Sequence, residues 1–217
     1  MAKSDKAAGR SGPDFSLEKA ARKSGHQLVA GVDEAGRGPL AGPVVVAAAI
    51  LPEGFTLDGV DDSKKVTEAR REALFDQLVA DSAIAYHVEV VPPSEIDQVN
   101  ILEATRNGMR RSVLGLKARP DFVLIDGTPV PDFPIDAEAV VKGDGKSLSI
   151  AVASILAKVT RDRIMRKLAL DHPEYGFDRH KGYPTKHHLE MLREHGPVEA
   201  HRRSFAPVAQ LTLDLGI

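Results

Sequence analysis

Two apolar runs near the start of the chain, Leu28-Val29-Ala30-Gly31-Val32 and Val44 to Leu51, have the length of buried strands and predict β-structure over 27–33 and 43–51. In "KKVTEARREALFDQLVADS" (64–82), Val66, Ala69, Ala73, Leu74, Leu78 and Val79 share one helical face. "AIAYHVEVV" (83–91) reads as a third strand closed by Pro92-Pro93, and a helix over 95–118 ends before Pro120. "DFVLIDG" (121–127) and a stretch near 135–141 predict two more strands. "SLSIAVASILAKVTRDRIMRKLAL" (147–170) predicts a long helix whose first half, apolar nearly all round, is buried, while Arg161 to Lys167 emerge into water. "TKHHLEMLREHG" (185–196) is a later helix with a glycine stop. Residues 1–13 are small and polar, a disordered tail, and 14–25 hold a short helix. The pattern predicts one α/β domain over 14–205, a mixed β-sheet flanked by helices with a helical C-terminal extension, then a tail over 206–217.

Composition narrows the classes. The 217 residues include no cysteine, which excludes disulfides and thiolate metal sites and suits a reducing compartment. The longest apolar run, Val44 to Leu51, falls far short of the ~20 residues of a membrane helix. The N-terminal stretch lacks the apolar core of a secretory signal, so the expectation is a soluble cytoplasmic protein with no membrane partner. Net charge is only −2, but residues 31–141 carry ten basic against nineteen acidic residues, and 142–203 carry thirteen against eight. An acidic middle beside a basic end suits cations in the centre and a polyanion along the flank, although solvated faces produce the same tally.

Four carboxylates stand where core elements end: Asp33 and Glu34 after the first strand, Asp126 after Phe122-Val123-Leu124-Ile125, and Asp144 in "VKGDGKS" before the buried helix. Taken singly, each also fits a turn or a cap. If the strands are neighbours their ends converge, and like charges ~4 Å apart repel by about 4 kcal/mol at an effective dielectric near 20. Such a cluster needs protons or cations. Hard oxygen donors without cysteine point to Mg²⁺ or Mn²⁺, and a pair of such ions activates water and stabilises the leaving oxygen in phosphodiester hydrolysis. Asp33 and Glu34 would face opposite ways along a strand, so the chain is expected to bend there.

Gly36-Arg37-Gly38 contains the start of a dinucleotide fingerprint, but strand-like Pro43-Val44-Val45-Val46 follows where that motif needs a helix. The segment is therefore a loop between strands whose backbone can approach a ligand closely, with Arg37 available for phosphate. Tyr183 in "HKGYPTKHH" sits in a basic loop, where its ring can stack on a sugar or base; equally, it could anchor the loop by packing. Lys64, beside Lys65, and Lys158 are further candidates for phosphate contact, with a solvated face and an internal pair to Asp162 as their plainer readings. The nearby histidines match no metal spacing and are expected at the surface.

At these residues the sequence resembles bacterial ribonuclease HII. "GVDEAGRGPLAGPVVVAAAIL", "DDSKKVTEARRE", "FVLIDG", "VKGDGKSLSIAVASILAKVTRDR" and "YGFDRHKGYPTKHH" follow that family's blocks in order and cover most of residues 27–200. The resemblance implies an RNase H-like fold and Mg²⁺- or Mn²⁺-dependent endonucleolytic cleavage of the RNA strand of RNA–DNA hybrids. It also implies incision 5′ of single ribonucleotides embedded in duplex DNA, leaving 5′-phosphate and 3′-OH ends, with roles in ribonucleotide removal and RNA primer removal. By position, Asp33, Glu34, Asp126 and Asp144 become the catalytic, metal-binding acids. Gly36, Arg37, Gly38 and Tyr183 become the elements that recognise the ribonucleotide at an RNA–DNA junction. Gln210, Leu211, Leu213 and Leu215 resemble the short peptide that docks on the bacterial sliding clamp, though the alternation also fits a small terminal strand. A monomer is expected.

Overall fold

The structure, a computed structural model, describes residues 12–56 and 67–215. Five strands form one mixed sheet: β1 (Val29–Ala35), β2 (Val44–Ile50), β3 (Ala85–Val91), β4 (Phe122–Asp126) and β5 (Ala137–Val140), in the order β3-β2-β1-β4-β5. The first three strands pair antiparallel, while β4 and β5 run parallel to β1. The helices are α1 (Ser16–Lys23), α2 (Glu68–Ala80), α3 (Pro93–Leu114), α4 (Leu148–Asp171), α5 (Phe177–His180), α6 (Lys186–His195) and α7 (Ala206–Leu215). None of them, among the described residues, is long and apolar enough to cross a membrane.

Helices cover both faces of the sheet, which explains why β2 reads "VVVAAAI" without polar alternation. Val45, Ala47 and Ala49 pack with α2 and α4, through Leu74, Leu78, Ile155 and Leu156. Val46, Ala48 and Ile50 pack with α3 through Met109 and Val113. Each fully buried leucine or isoleucine contributes about 1.5–3 kcal/mol. Helix α4 starts at Ser147, whose hydroxyl accepts the Ile150 N–H at 3.2 Å. It lies directly on β1 because position 31 is glycine: a Cβ there would overlap the Ile150 nitrogen.

Away from the carboxylates, the fold departs from the sequence reading in four places. The helix over 95–118 is two segments, because Asn100 adopts φ 69° and its Oδ1 accepts the Leu102 and Glu103 N–H groups, capping a new start. Arg161 does not emerge into water; it is buried, as are Asp162 and Met165, and only the Arg163 and Arg166 side reaches solvent. The C-terminal apolar residues form no strand. They lie on helix α7, where Val208 and Leu211, three apart, lean on Leu40 and Leu192. His188 is fully buried rather than at the surface, for reasons given below. Lys64, Lys65, Val66 and residues 1–11 of the expected tail lie outside the described residues.

Candidate active site

The parallel pairing of β1 with β4 runs to Val32 opposite Ile125, so the next residues, Asp33 near the end of β1 and Asp126 at the end of β4, lie side by side. Asp144 follows in a short 3₁₀ turn, Gly143–Gly145, whose first N–H donates to Asp126 Oδ1 at 2.6 Å. Asp33, Glu34, Asp126 and Asp144 line one cavity of about 550 Å³, together with Gly36, Lys158 and Tyr183. Residues more than a hundred positions apart are thus gathered at one end of the sheet.

The chain does not bend between Asp33 and Glu34. β1 continues to Ala35, paired with Val45, and the turn comes at Gly36, at φ 97°. Asp33 therefore faces α4 and Glu34 faces α3; Glu34 also lines a narrower cleft of about 100 Å³ with Arg37, Leu102, Thr105 and Met109. Because the strand is at its end, both carboxylates still reach the shared cavity.

Burial pushes Asp33 well above the usual carboxylate range, and the Glu34 charge adds to it. The Ser154 hydroxyl and the Glu34 N–H, 2.7 Å from Asp33 Oδ1, work the other way. Burial raises Glu34 too; Arg37, 3.4 Å from its Oε1, opposes this while Asp126 reinforces it. Glu34 Oε2 is buried with no hydrogen-bond partner among the described residues.

These observations fit a divalent cation. The donors are hard oxygens, two of them resist ionising without an added positive charge, and one buried oxygen lacks a partner. Among the described residues no group of three or more His, Asp or Glu side chains is placed to hold an ion by itself, so the four acids line one cavity without forming a closed set of ligands.

Around the acids stand the other expected residues. Tyr183 is 47% exposed at the mouth, and a Cβ at Gly38 would lie 3.4 Å from its ring, so loop and ring adjoin. Arg37 projects into the narrow cleft beside the main cavity. Lys158 lines the cavity but its Nζ is 2.7 Å from Asp162 Oδ1, the internal pair anticipated as its plainer reading. Lys64 lies outside the described residues.

Sequence reasoning missed Ser154, Arg71, Lys142 and Arg161, which also line the cavity. Ser154 was findable, since it stands one helical turn before Lys158 on α4. Lys142 adopts a left-handed conformation at φ 55°, which no pattern in "VKGDG" announces.

A mixed sheet in this order, with carboxylates gathered at the carboxyl ends of β1 and β4, defines the class: a ribonuclease H-like hydrolase of phosphodiester bonds. The ribonuclease HII family matches residues 30–208, and the chain belongs to that family. Ribonuclease HII of Delftia acidovorans is 56% identical over 184 residues, covering 85% of this chain and 78% of that protein. Among solved structures, ribonuclease H2 of Pyrococcus horikoshii superposes with a TM-score of 0.74 at 30% identity, covering 88% of this chain and 99% of that one. The ribonuclease HII of Archaeoglobus fulgidus, solved as a complex with PCNA, gives 0.71 at 27% identity, covering 82% and 95%. The chain is an endonuclease of the ribonuclease H type, acting on RNA–DNA hybrids.

Proposed function

We propose that this enzyme, besides cutting the RNA strand of hybrids, incises on the 5′ side of single ribonucleotides embedded in duplex DNA. The observation that carries the reading is the adjacency of two parts: four carboxylates lining one cavity, and a glycine loop with an exposed tyrosine at its mouth. Water adds to phosphorus, the bond from phosphorus to O3′ of the upstream nucleotide breaks, and O3′ leaves as a hydroxyl. The products carry a 3′-OH and a 5′-phosphate on the ribonucleotide. Asp33, Glu34, Asp126 and Asp144 would hold two Mg²⁺ or Mn²⁺ ions, which supply charge neutralisation, a more acidic water and stabilisation of the leaving oxygen.

The chain's own groups do the rest. Backbone N–H groups of Gly36-Arg37-Gly38 bond the 2′-OH, and the Tyr183 ring packs on the following deoxyribose, so a ribose followed by a deoxyribose is preferred. Lys158, and Lys64 from outside the described residues, meet phosphates along the strand. Such an activity serves ribonucleotide removal from DNA and RNA primer removal in the cytoplasm, with the protein acting as a monomer. The PCNA complex of the A. fulgidus relative supports a clamp partner here, docked through Gln210, Leu211, Leu213 and Leu215 on α7, of which Leu213 is 76% exposed.

The test is a labelled duplex containing one ribonucleotide, incubated with and without Mg²⁺ or Mn²⁺. The expected product is a single cut immediately 5′ of the ribonucleotide, present only with the ion. An uncut duplex under conditions where a long hybrid is degraded would overturn the proposal.

A further inference from the structure

Beneath the glycine loop lie two arginines that touch no carboxylate within ion-pair distance among the described residues. Arg202 is fully buried and Arg161 nearly so. Burying a guanidinium without a counter-charge is costly, so each should satisfy its donors on something else. They satisfy them on main-chain carbonyls of one segment. Arg202 donates from Nη2 to Gly36 O at 2.5 Å, from Nη1 to Arg37 O at 2.8 Å and from Nε to Gly42 O at 3.0 Å. Arg161 donates from Nε to Pro43 O at 3.0 Å and from Nη2 to Ala41 O at 3.1 Å. The close fit leaves no room at position 36, where a Cβ would overlap the Arg161 side chain.

The consequence follows from peptide geometry. In a planar trans peptide the N–H points opposite to the C=O. With Gly36 O and Arg37 O drawn down onto Arg202, the N–H groups of the same two peptides, those of Arg37 and Gly38, are turned away from it. Neither donates to another group among the described residues. The adjoining tyrosine loop is tied to the same segment, since Leu40 donates to Gly182 O at 2.8 Å and Arg202 N to Leu40 O at 2.8 Å. The fork of Arg202 thus fixes the loop's donor face and its distance from Tyr183.

We infer that Arg202 is a positioning residue for ribonucleotide recognition: by holding the Gly36 and Arg37 carbonyls inward it presents the Arg37 and Gly38 N–H groups to the 2′-OH. The inference rests on the proposed role of the loop and goes beyond it by naming what orients the loop. Arg161 supports the far half of the same segment. Lysine cannot replace Arg202, because an ammonium lacks the planar fork that spans adjacent carbonyls.

The experiment compares binding in the inactive Asp126→Asn background, by fluorescence anisotropy at fixed salt, of a duplex with one ribonucleotide and the same duplex all in DNA. Adding Arg202→Lys is expected to weaken binding of the ribonucleotide duplex about tenfold, towards the all-DNA value, as the loss of one or two aligned hydrogen bonds requires. Binding of the all-DNA duplex should stay within about twofold, since phosphate contacts supply most of it. Equal weakening of both duplexes would show a merely structural role and overturn the inference, as would unchanged discrimination. Should Arg202→Lys melt well below its parent, Arg202→Gln, which removes the buried charge and keeps an amide donor, takes its place with the same expected loss. If Asp126→Asn alone fails to discriminate, the function reading falls and this inference with it; if that parent discriminates and the Arg202 variants discriminate equally well, the inference falls alone.

Discussion

At the mouth of the cavity Tyr183 is 47% exposed, an exposure that protein packing alone does not call for in an aromatic ring beside a glycine loop. Removing the ring by Tyr183→Ala should lower kcat/KM on a single-ribonucleotide duplex by about a hundredfold, near the upper end of what stacking on one nucleotide contributes. Tyr183→Phe keeps the ring and should lose only about threefold to tenfold, the worth of one hydrogen bond. Far-UV circular dichroism should be unchanged in both, and equal activity of Tyr183→Ala and wild type would refute the assignment. Asp126→Asn should keep hybrid binding but lose at least about a hundredfold in turnover, some 3 kcal/mol of transition-state stabilisation. Its amide oxygen can still accept the Gly143 N–H, so the variant should fold. At this scale the sequence betrayed the carboxylates because they interrupt apolar runs. It concealed Arg202 and Arg161, because an arginine that bonds carbonyls looks like any surface arginine until the fold closes over it.

Among the elements, the short N-terminal helix α1 packs Leu17 and Ala21 on the core and is tied to the start of α4 by a buried carboxylate. Glu18 is 1% exposed, and its Oε1 accepts the hydroxyls of Ser147 and Ser149 at 2.7 Å each and the Ser149 N–H at 2.9 Å. The carboxylate sits at the start of α4, where unpaired N–H groups favour negative charge. Glu18→Ala leaves those donors buried without an acceptor, and should destabilise the protein by about 2–3 kcal/mol in urea unfolding. No change in the midpoint would contradict that role. The last helix has an outward side instead: Leu213→Ala should weaken capture by an immobilised sliding clamp while leaving cleavage of a free duplex intact, and undiminished capture would remove the clamp assignment. Strands and long helices were legible from periodicity, since burial on two faces or one imposes it. The break at Asn100 and the helical form of 206–215 were not. The first depends on a side chain capping its own backbone, and the second on contact with Leu40 and Leu192, far away in sequence.

For the molecule as a whole, a buried pair of histidines sets an acid limit. Val198 N–H donates to His201 Nδ1 at 3.0 Å, so the His201 proton is on Nε2 and is given to His188 Nε2, 3.0 Å away. His188 then donates from Nδ1 to Tyr183 O at 2.9 Å. This chain requires both rings to be neutral. Burial, with the neighbouring rings adding to it, pulls each down from 6.5 to about 4. The folded values lie below the unfolded ones, so the unfolded chain takes up protons first as pH falls. The two histidines' contribution to stability should therefore be level above about pH 6.5 and drop by a few kcal/mol between about pH 6.5 and 4, at roughly 1.4 kcal/mol per unit of depression. The raised Asp33 and Glu34 carboxyls favour the folded state as pH falls and oppose part of that loss. Replacing His201 with glutamine should flatten that slope in denaturant melts taken across the range. A wild-type slope no steeper than the variant's would refute the assignment.

The cavity draws on β1, on β4 and on the turn at Asp144, while the segment that borders it is clasped by Arg202 from 165 positions away. Two distant regions of the chain must therefore close on one another before the glycine loop takes its shape, so the acids and the surface that borders them are completed by different parts of the fold.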